Sequence, residues 1–161
     1  MLKIGDKAPD FNLPTGNGES ISLSELKGKK VVLYFYPSDD TPTCTKEACS
    51  FQENLSSIKR KGVVVLGLSA DTPKAHSKFA KKYGLSFPLL SDEKKEIIKA
   101  YGLWKKKSLF GVKFMGIERT TLIIDEEGII RHIFPKVRVK RHVEKVLEAL
   151  DTVSIKKEPS L

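Results

Sequence analysis

Two short runs with almost no polar residues constrain this chain more than any other feature. Val31 to Tyr36, within KKVVLYFYP (29–37), is continuously β-branched, aliphatic or aromatic, and VVVLGLS (63–69) repeats the character. A strand with one wet face alternates apolar and polar residues, whereas a strand without alternation is buried on both faces. Both runs are therefore expected as interior strands. The segment between them reads as a helix. Thr41 is a suitable N-cap and Pro42 would occupy the first helical position, where its missing N–H does no harm. Ala48, Phe51, Leu55 and Ile58 recur at close to helical spacing, and Gly62 ends the pattern. Strand, helix and strand in this order make a right-handed crossover between parallel neighbours.

The rest of the chain continues the alternation. Residues 11–28 read as an N-terminal β-hairpin, and Pro37 stops the first long strand. A helix is expected over 72–84, between Pro73 and Gly84, then a short strand over 87–92 and a helix over 93–102. Residues 119–134 predict two strands around a turn at Glu126–Gly128. An amphipathic helix with Val143, Val146, Leu147 and Leu150 on one side closes the pattern. KKKSLFGVKFMG (105–116) is expected to be a loop near the cysteine segment. The fold class is α/β, with a mixed central sheet flanked by helices on both faces, compatible with a thioredoxin-like arrangement. The 161 residues fit one domain, assigned to 1–153, with 154–161 as a frayed tail.

Composition narrows the function classes. No apolar run is long enough to span a bilayer, and MLKIGDKAPDFNLP has no secretory h-region. The expected location is the cytoplasm, with no membrane contact, where thiols stay reduced. A net charge of +9 raises the question of nucleic acid, with WKKKS (104–108) and KVRVKRH (136–142) as the densest patches. The lysines are otherwise spread along the chain, as on solvated faces, which argues against a nucleic-acid partner.

Both cysteines, Cys44 and Cys49, lie in YPSDDTPTCTKEACSF (36–51). In a reducing compartment such a pair is more often catalytic or metal-binding than a staple. Cys44 would be the third residue of the helix, close to unpaired N–H groups and the positive end of the dipole. Thiols in that setting are readily ionised and nucleophilic. Cys49 lies five positions on, so the two Cα atoms of an intact helix would be about 8–9 Å apart. A disulfide needs less than about 7 Å. If the two react with each other, the helix must unwind locally. Two alternatives stand beside this one: an inert buried pair, and a metal pair. Zinc would need two further ligands, and His76, His132 and His142 lack finger-like spacing. A C-x-x-C motif is absent.

PSDDTPTC, with Pro37, Thr41 and Cys44 in a P-x-x-x-T-x-x-C pattern, resembles the active-site signature of peroxiredoxins. CTKEAC resembles the bacterioferritin comigratory protein, or Q-type, subgroup. GDKAPDFNLP, KKYGLSFPLLSD, AYGLW and FMGIERTTLIIDEEG extend the likeness over nearly the whole chain. The resemblance implies a thioredoxin-like fold with an N-terminal extension. It implies Cys44 as peroxidatic cysteine, Cys49 as resolving cysteine, Thr41 as the hydroxyl that holds thiolate and peroxide, and Pro37 as a shield from water. Arg119 would complete the site, oriented by Glu47. Without the resemblance, Arg119 reads equally as a strand-end arginine, Thr41 as a plain cap and Pro37 as a strand stop. One departure is Thr43, where many relatives carry glycine. The implied reaction is reduction of hydrogen peroxide or organic hydroperoxides through a sulfenic acid and an intramolecular disulfide, recycled by thioredoxin or a similar dithiol. No metal, flavin or haem is called for, and the expected state is a monomer or a dimer. The alternative function is a thiol redox sensor with little turnover.

Overall fold

The computed structural model describes residues 2–157. β1 (Asn12–Pro14) and β2 (Ser20–Ser22) form the N-terminal hairpin, with Leu13 opposite Ile21. β3 (Lys30–Phe35) leads into α1 (Pro42–Glu53) and α2 (Leu55–Arg60), then β4 (Val63–Ser69). α3 (Pro73–Tyr83), β5 (Leu89–Ser91) and α4 (Glu96–Ala100) follow. β6 (Trp104–Leu109) and β7 (Val112–Ile117) precede β8 (Thr120–Ile124), β9 (Ile130–Phe134) and α5 (His142–Lys157).

The central sheet has the order β5-β4-β3-β8-β9. β3 lies in its middle, parallel to β4 and antiparallel to β8, with Leu33 beside Leu66 on one side and Leu122 on the other. Alternate residues of β3 enter different cores. Val32 and Tyr34 join Phe51, Ile58, Phe79, Val146 and Leu150 beneath α1, α2, α3 and α5. Val31, Leu33 and Phe35 join Phe11, Leu23, Ile98 and Tyr101 beneath the N-terminal segment and α4. Two covered faces explain why the run has no polar alternation, and burying each large apolar side chain contributes about 1.5–3 kcal/mol. Gly67 of β4 is fixed by close approach: a Cβ there would lie 2.9 Å from Leu89 Cδ2 and 3.0 Å from the Tyr34 ring. No described helix is long and apolar enough to cross a membrane.

Two expectations are corrected. The single helix before Gly62 is broken at Asn54, whose side-chain Nδ2 donates to the Ser50 carbonyl at 2.9 Å. This side-chain bond competes with the backbone ladder and bends the chain. Residues 105–116 are not a loop: β6 and β7 pair from Trp104↔Ile117 to Leu109↔Val112. The two-residue turn between them is Phe110–Gly111, both with positive φ, at 51° and 78°. Such turns match strand twist but usually carry Asn-Gly, and the lysine run hides the strand alternation. α5 runs to Lys157, and residues 158–161 of the tail expected over 154–161 lie outside the described ones.

Candidate active site

Beyond β3, Tyr36 keeps one more sheet-like bond, its N–H donating to the Leu68 carbonyl, before Pro37 turns the chain out. The loop that follows is tied to α3. Tyr36 OH donates to Asp39 Oδ1 at 2.6 Å, and His76 Nδ1 lies 2.6 Å from Asp39 Oδ2. His76 Nε2 is 2.9 Å from the Leu90 carbonyl oxygen, which can only accept, so this nitrogen carries a proton. Asp39 N–H donates in turn to Asp71 Oδ2 at 2.8 Å. Asp40 has a left-handed φ of 58° and accepts from Lys82 Nζ and Tyr83 OH, both at 2.8 Å. Asp39, Asp71 and His76 are close enough to one another to hold a cation. Their hydrogen bonds to each other, to Tyr36 and to Leu90 already give them a structural task.

Thr41 stands at the N-cap of α1 and Pro42 at its first position. The Thr41 hydroxyl does not cap the helix, however. It donates to the Ser38 carbonyl at 3.2 Å, which leaves its lone pairs free to accept. Cys44, third in α1, is 2% exposed, and Glu47 one turn later is fully buried on the same side. Arg119, in the link between β7 and β8, reaches both. Its Nη2 donates to Cys44 Sγ at 3.1 Å and its Nη1 to Glu47 Oε1 at 2.6 Å. The backbone of Arg119 is itself held, since its carbonyl accepts from Val137 N–H at 2.8 Å.

Burial pushes the Glu47 carboxyl up to about 7, and Arg119 pulls it partly back. For Arg119, burial opposes its charge, but Glu47 and Cys44 outweigh that and hold it above the usual arginine range. A guanidinium so placed stabilises negative charge on the sulfur. Tyr34, buried beside this group, is pushed well above the phenol range by burial and then by Glu47 and Cys44. Burial, and Arg119 next, lower the ammonium of Lys107. His142 packs on Phe51 and Phe134 with Nε2 2.9 Å from Thr121 Oγ1. Burial, then Lys145 and Arg119, push it down to about 4.

Cys49 is half-buried on the same unbroken helix, and both cysteines are free thiols. Burial, and after it Glu53, push the Cys49 thiol up. A cleft of about 570 Å³ opens beside the site, lined by Pro37, Arg119, Glu118, Lys107, Lys136 and Val137 among others. Cys44 lies behind this lining rather than in it. Cys44, Glu47 and Arg119 are thus in contact, Pro37 shares the cleft with Arg119, and Thr41 begins the same helix. Asp39, Asp40, His76, His142 and Lys107 were not singled out in sequence as parts of this neighbourhood. Only the pair Asp39–Asp40 just before the cap offered a local signal.

The AhpC/TSA family model matches residues 4–133. A Coxiella burnetii protein carrying the peroxiredoxin bcp name is 54% identical over 149 residues, covering 92% of this chain and 99% of that one. The peroxiredoxin Bcp of Bacillus subtilis is 44% identical over 155 residues, 96% of this chain and 99% of the relative. Among solved structures, a Xylella fastidiosa PrxQ mutant superposes with a TM-score of 0.90 at 33% identity, covering 96% of this chain and 98% of that one. At these identities, over nearly its whole length, the chain belongs to the AhpC/TSA family as a peroxiredoxin, an enzyme that reduces peroxides with a thiol.

Proposed function

We propose that this chain is an atypical two-cysteine peroxidase in which Cys44 is the peroxidatic nucleophile and Cys49 the resolving thiol. The observation that carries the reading is the Arg119 fork, which donates to Cys44 Sγ while Glu47 holds its other arm. The Cys44 thiolate attacks one peroxide oxygen. An S–O bond forms, the O–O bond breaks, and the second oxygen leaves as water or alcohol after taking a proton. Arg119 faces both the sulfur and the oxygen that gains charge. The Thr41 hydroxyl, its proton committed to Ser38, accepts from the peroxide O–H. Pro37 screens the sulfur from water.

Cys44 is then a sulfenic acid. Its partner lies on the same helix at a separation of about 8–9 Å, too far for a disulfide. The first turns of α1 must therefore open before Cys49 attacks the sulfenic sulfur and hydroxide leaves as water. A dithiol reductant such as thioredoxin exchanges with the disulfide and restores both thiols. Both sulfurs come from one chain, so the cycle needs no second copy. Free thiols of this kind suit the cytoplasm.

Peroxide consumption by the reduced protein with a thioredoxin system tests the assignment. Cys44→Ser should abolish it. Cys49→Ser should consume one equivalent and then stop, and mass spectrometry of the wild type should find the Cys44–Cys49 bond. Full turnover by Cys49→Ser would remove the resolving role, and turnover by Cys44→Ser would remove the scheme.

A further inference from the structure

Six large apolar side chains are exposed among the described residues, and five of them sit on the β6–β7 hairpin. These are Leu109 at 57%, Phe110 at 96%, Val112 at 65%, Phe114 at 44% and Met115 at 46%. The hairpin is a two-stranded sheet that pairs with no other strand among the described residues. Its tip is the Phe110–Gly111 turn, so the most exposed aromatic in the molecule stands at the end of a protrusion. Lys105, Lys106, Lys107 and Lys113 flank this apolar tip; Lys105 pairs with Glu118 at 3.3 Å, while Lys106 and Lys113 are exposed. Lys105, Lys106 and Lys107 also line the cleft that holds Pro37 and Arg119.

We propose that the β6–β7 hairpin docks this protein reversibly on an anionic lipid surface, with Phe110, Leu109 and Val112 inserted and the lysines at headgroup level. The dimensions agree. The exposed Lys106 and Lys113 lie four and three residues from Phe110, about 10–13 Å at ~3.3 Å per strand residue. Interfacial apolar groups enter the headgroup and acyl boundary by about 5–10 Å, which leaves those ammonium groups among the phosphates. An apolar tip behind a cationic collar matches an anionic interface in both respects. A second copy would bring lysines against lysines. A nucleic acid would engage the lysines and leave the apolar tip in water. Absence of a spanning segment, the basis for expecting no membrane contact, does not bear on a hairpin that lies in the interface. The docking stands whether or not the assigned cysteine cycle does, and it would turn the cleft beside Arg119 toward the lipid.

Co-sedimentation with vesicles tests this. Wild type, Phe110→Ser and Lys113→Glu are compared on phosphatidylglycerol–phosphatidylcholine vesicles and on pure phosphatidylcholine, at low and high salt. Wild type should bind the anionic vesicles at low salt, and at least about tenfold more weakly on neutral vesicles or at high salt. Phe110→Ser should lose about tenfold, and Lys113→Glu about fivefold or more, with hydrogen peroxide turnover unchanged in both. Phe110→Trp should shift its emission to the blue on anionic vesicles only. No binding at low salt would overturn the proposal, as would binding that Phe110→Ser leaves intact. A solution dimer abolished by Phe110→Ser, without vesicle binding, would overturn it in favour of a second copy. A raised KM for the dithiol reductant in Phe110→Ser, again without vesicle binding, would overturn it in favour of the reductant.

Discussion

Replacing Glu47 by Gln should change stability in a way that depends on pH with a defined sign. The Glu47 carboxyl is fully buried, one oxygen accepts from Arg119 at 2.6 Å, and the other has no hydrogen-bond partner among the described residues. Burial raises its folded value from 4.5 to about 7. Between those values the folded protein holds a proton that the unfolded chain releases, so stability falls as pH rises. The cost accumulated by pH 8 is about 3 kcal/mol. The amide introduced by Glu47→Gln cannot ionise and escapes this loss. The difference in unfolding free energy, variant minus wild type, should therefore rise by about 3 kcal/mol between pH 4.5 and 8. Urea unfolding at half-unit pH steps measures it, and the titration of His142, common to both proteins, cancels in the difference. Activity should move the other way. A neutral amide holds Arg119 less firmly, so kcat/KM for peroxide should fall by about tenfold or more. A pH-independent stability difference would refute the buried, proton-holding carboxyl.

Other outcomes follow from the same geometry. His142 is pushed down from 6.5 to about 4, so the unfolded chain takes a proton the folded protein refuses, and stability is lost as pH falls through that window. About 3 kcal/mol of acid sensitivity should disappear in His142→Gln, read from urea midpoints at pH 4 and 7. Because burial, with Glu53 behind it, pushes the Cys49 thiol up, decay of the Cys44 sulfenic acid should accelerate about tenfold per pH unit above neutrality. Glu53→Gln should speed that decay at pH 7, and a flat stopped-flow profile would exclude Cys49 thiolate as the attacking group. His76→Ala leaves Asp39 Oδ2 without its ring partner, with only Tyr36 still donating to Oδ1, and should cost about 3 kcal/mol by urea unfolding. An unchanged midpoint would mean that the bonds to Asp39 and Leu90 hold nothing in place.

Much of the fold was legible because its strongest signals are local. The Val31–Tyr36 run announces a strand covered on both faces, and Thr41–Pro42 marks where α1 begins. Cys44 was legible for the same reason, since a helix start and its third residue are neighbours in sequence. Arg119 was not. It reaches the thiol across 75 positions, and only the resemblance to a known family placed it there. The clamps on Asp39 and Asp40 were invisible in the same way, because His76, Lys82 and Tyr83 become their neighbours only once α3 packs against β5 and the loop after β3. The β6–β7 hairpin was missed for an opposite reason. Its lysines read as a solvated loop and its turn carries phenylalanine where asparagine is usual, so local rules pointed away from the strands that pairing produces.

The loop ahead of Cys44 is bonded to α3, while Cys44 itself belongs to α1. The proposed oxidation and reduction would therefore pull on an element that the clamps do not grip. In the proposed cycle the first turns of α1 would melt to bring the two sulfurs together, while Asp39 and Asp40 would stay pinned to His76, Lys82 and Tyr83. The molecule would then act like a latch on a fixed frame: the sulfur would swing out with its own turn of helix, and the vacated seat would keep its shape. Amide exchange should then show the cycle as protection lost and regained from residue 45 onward in α1, with α3 silent throughout. Each reduction would return the thiol to a socket that never had to be rebuilt.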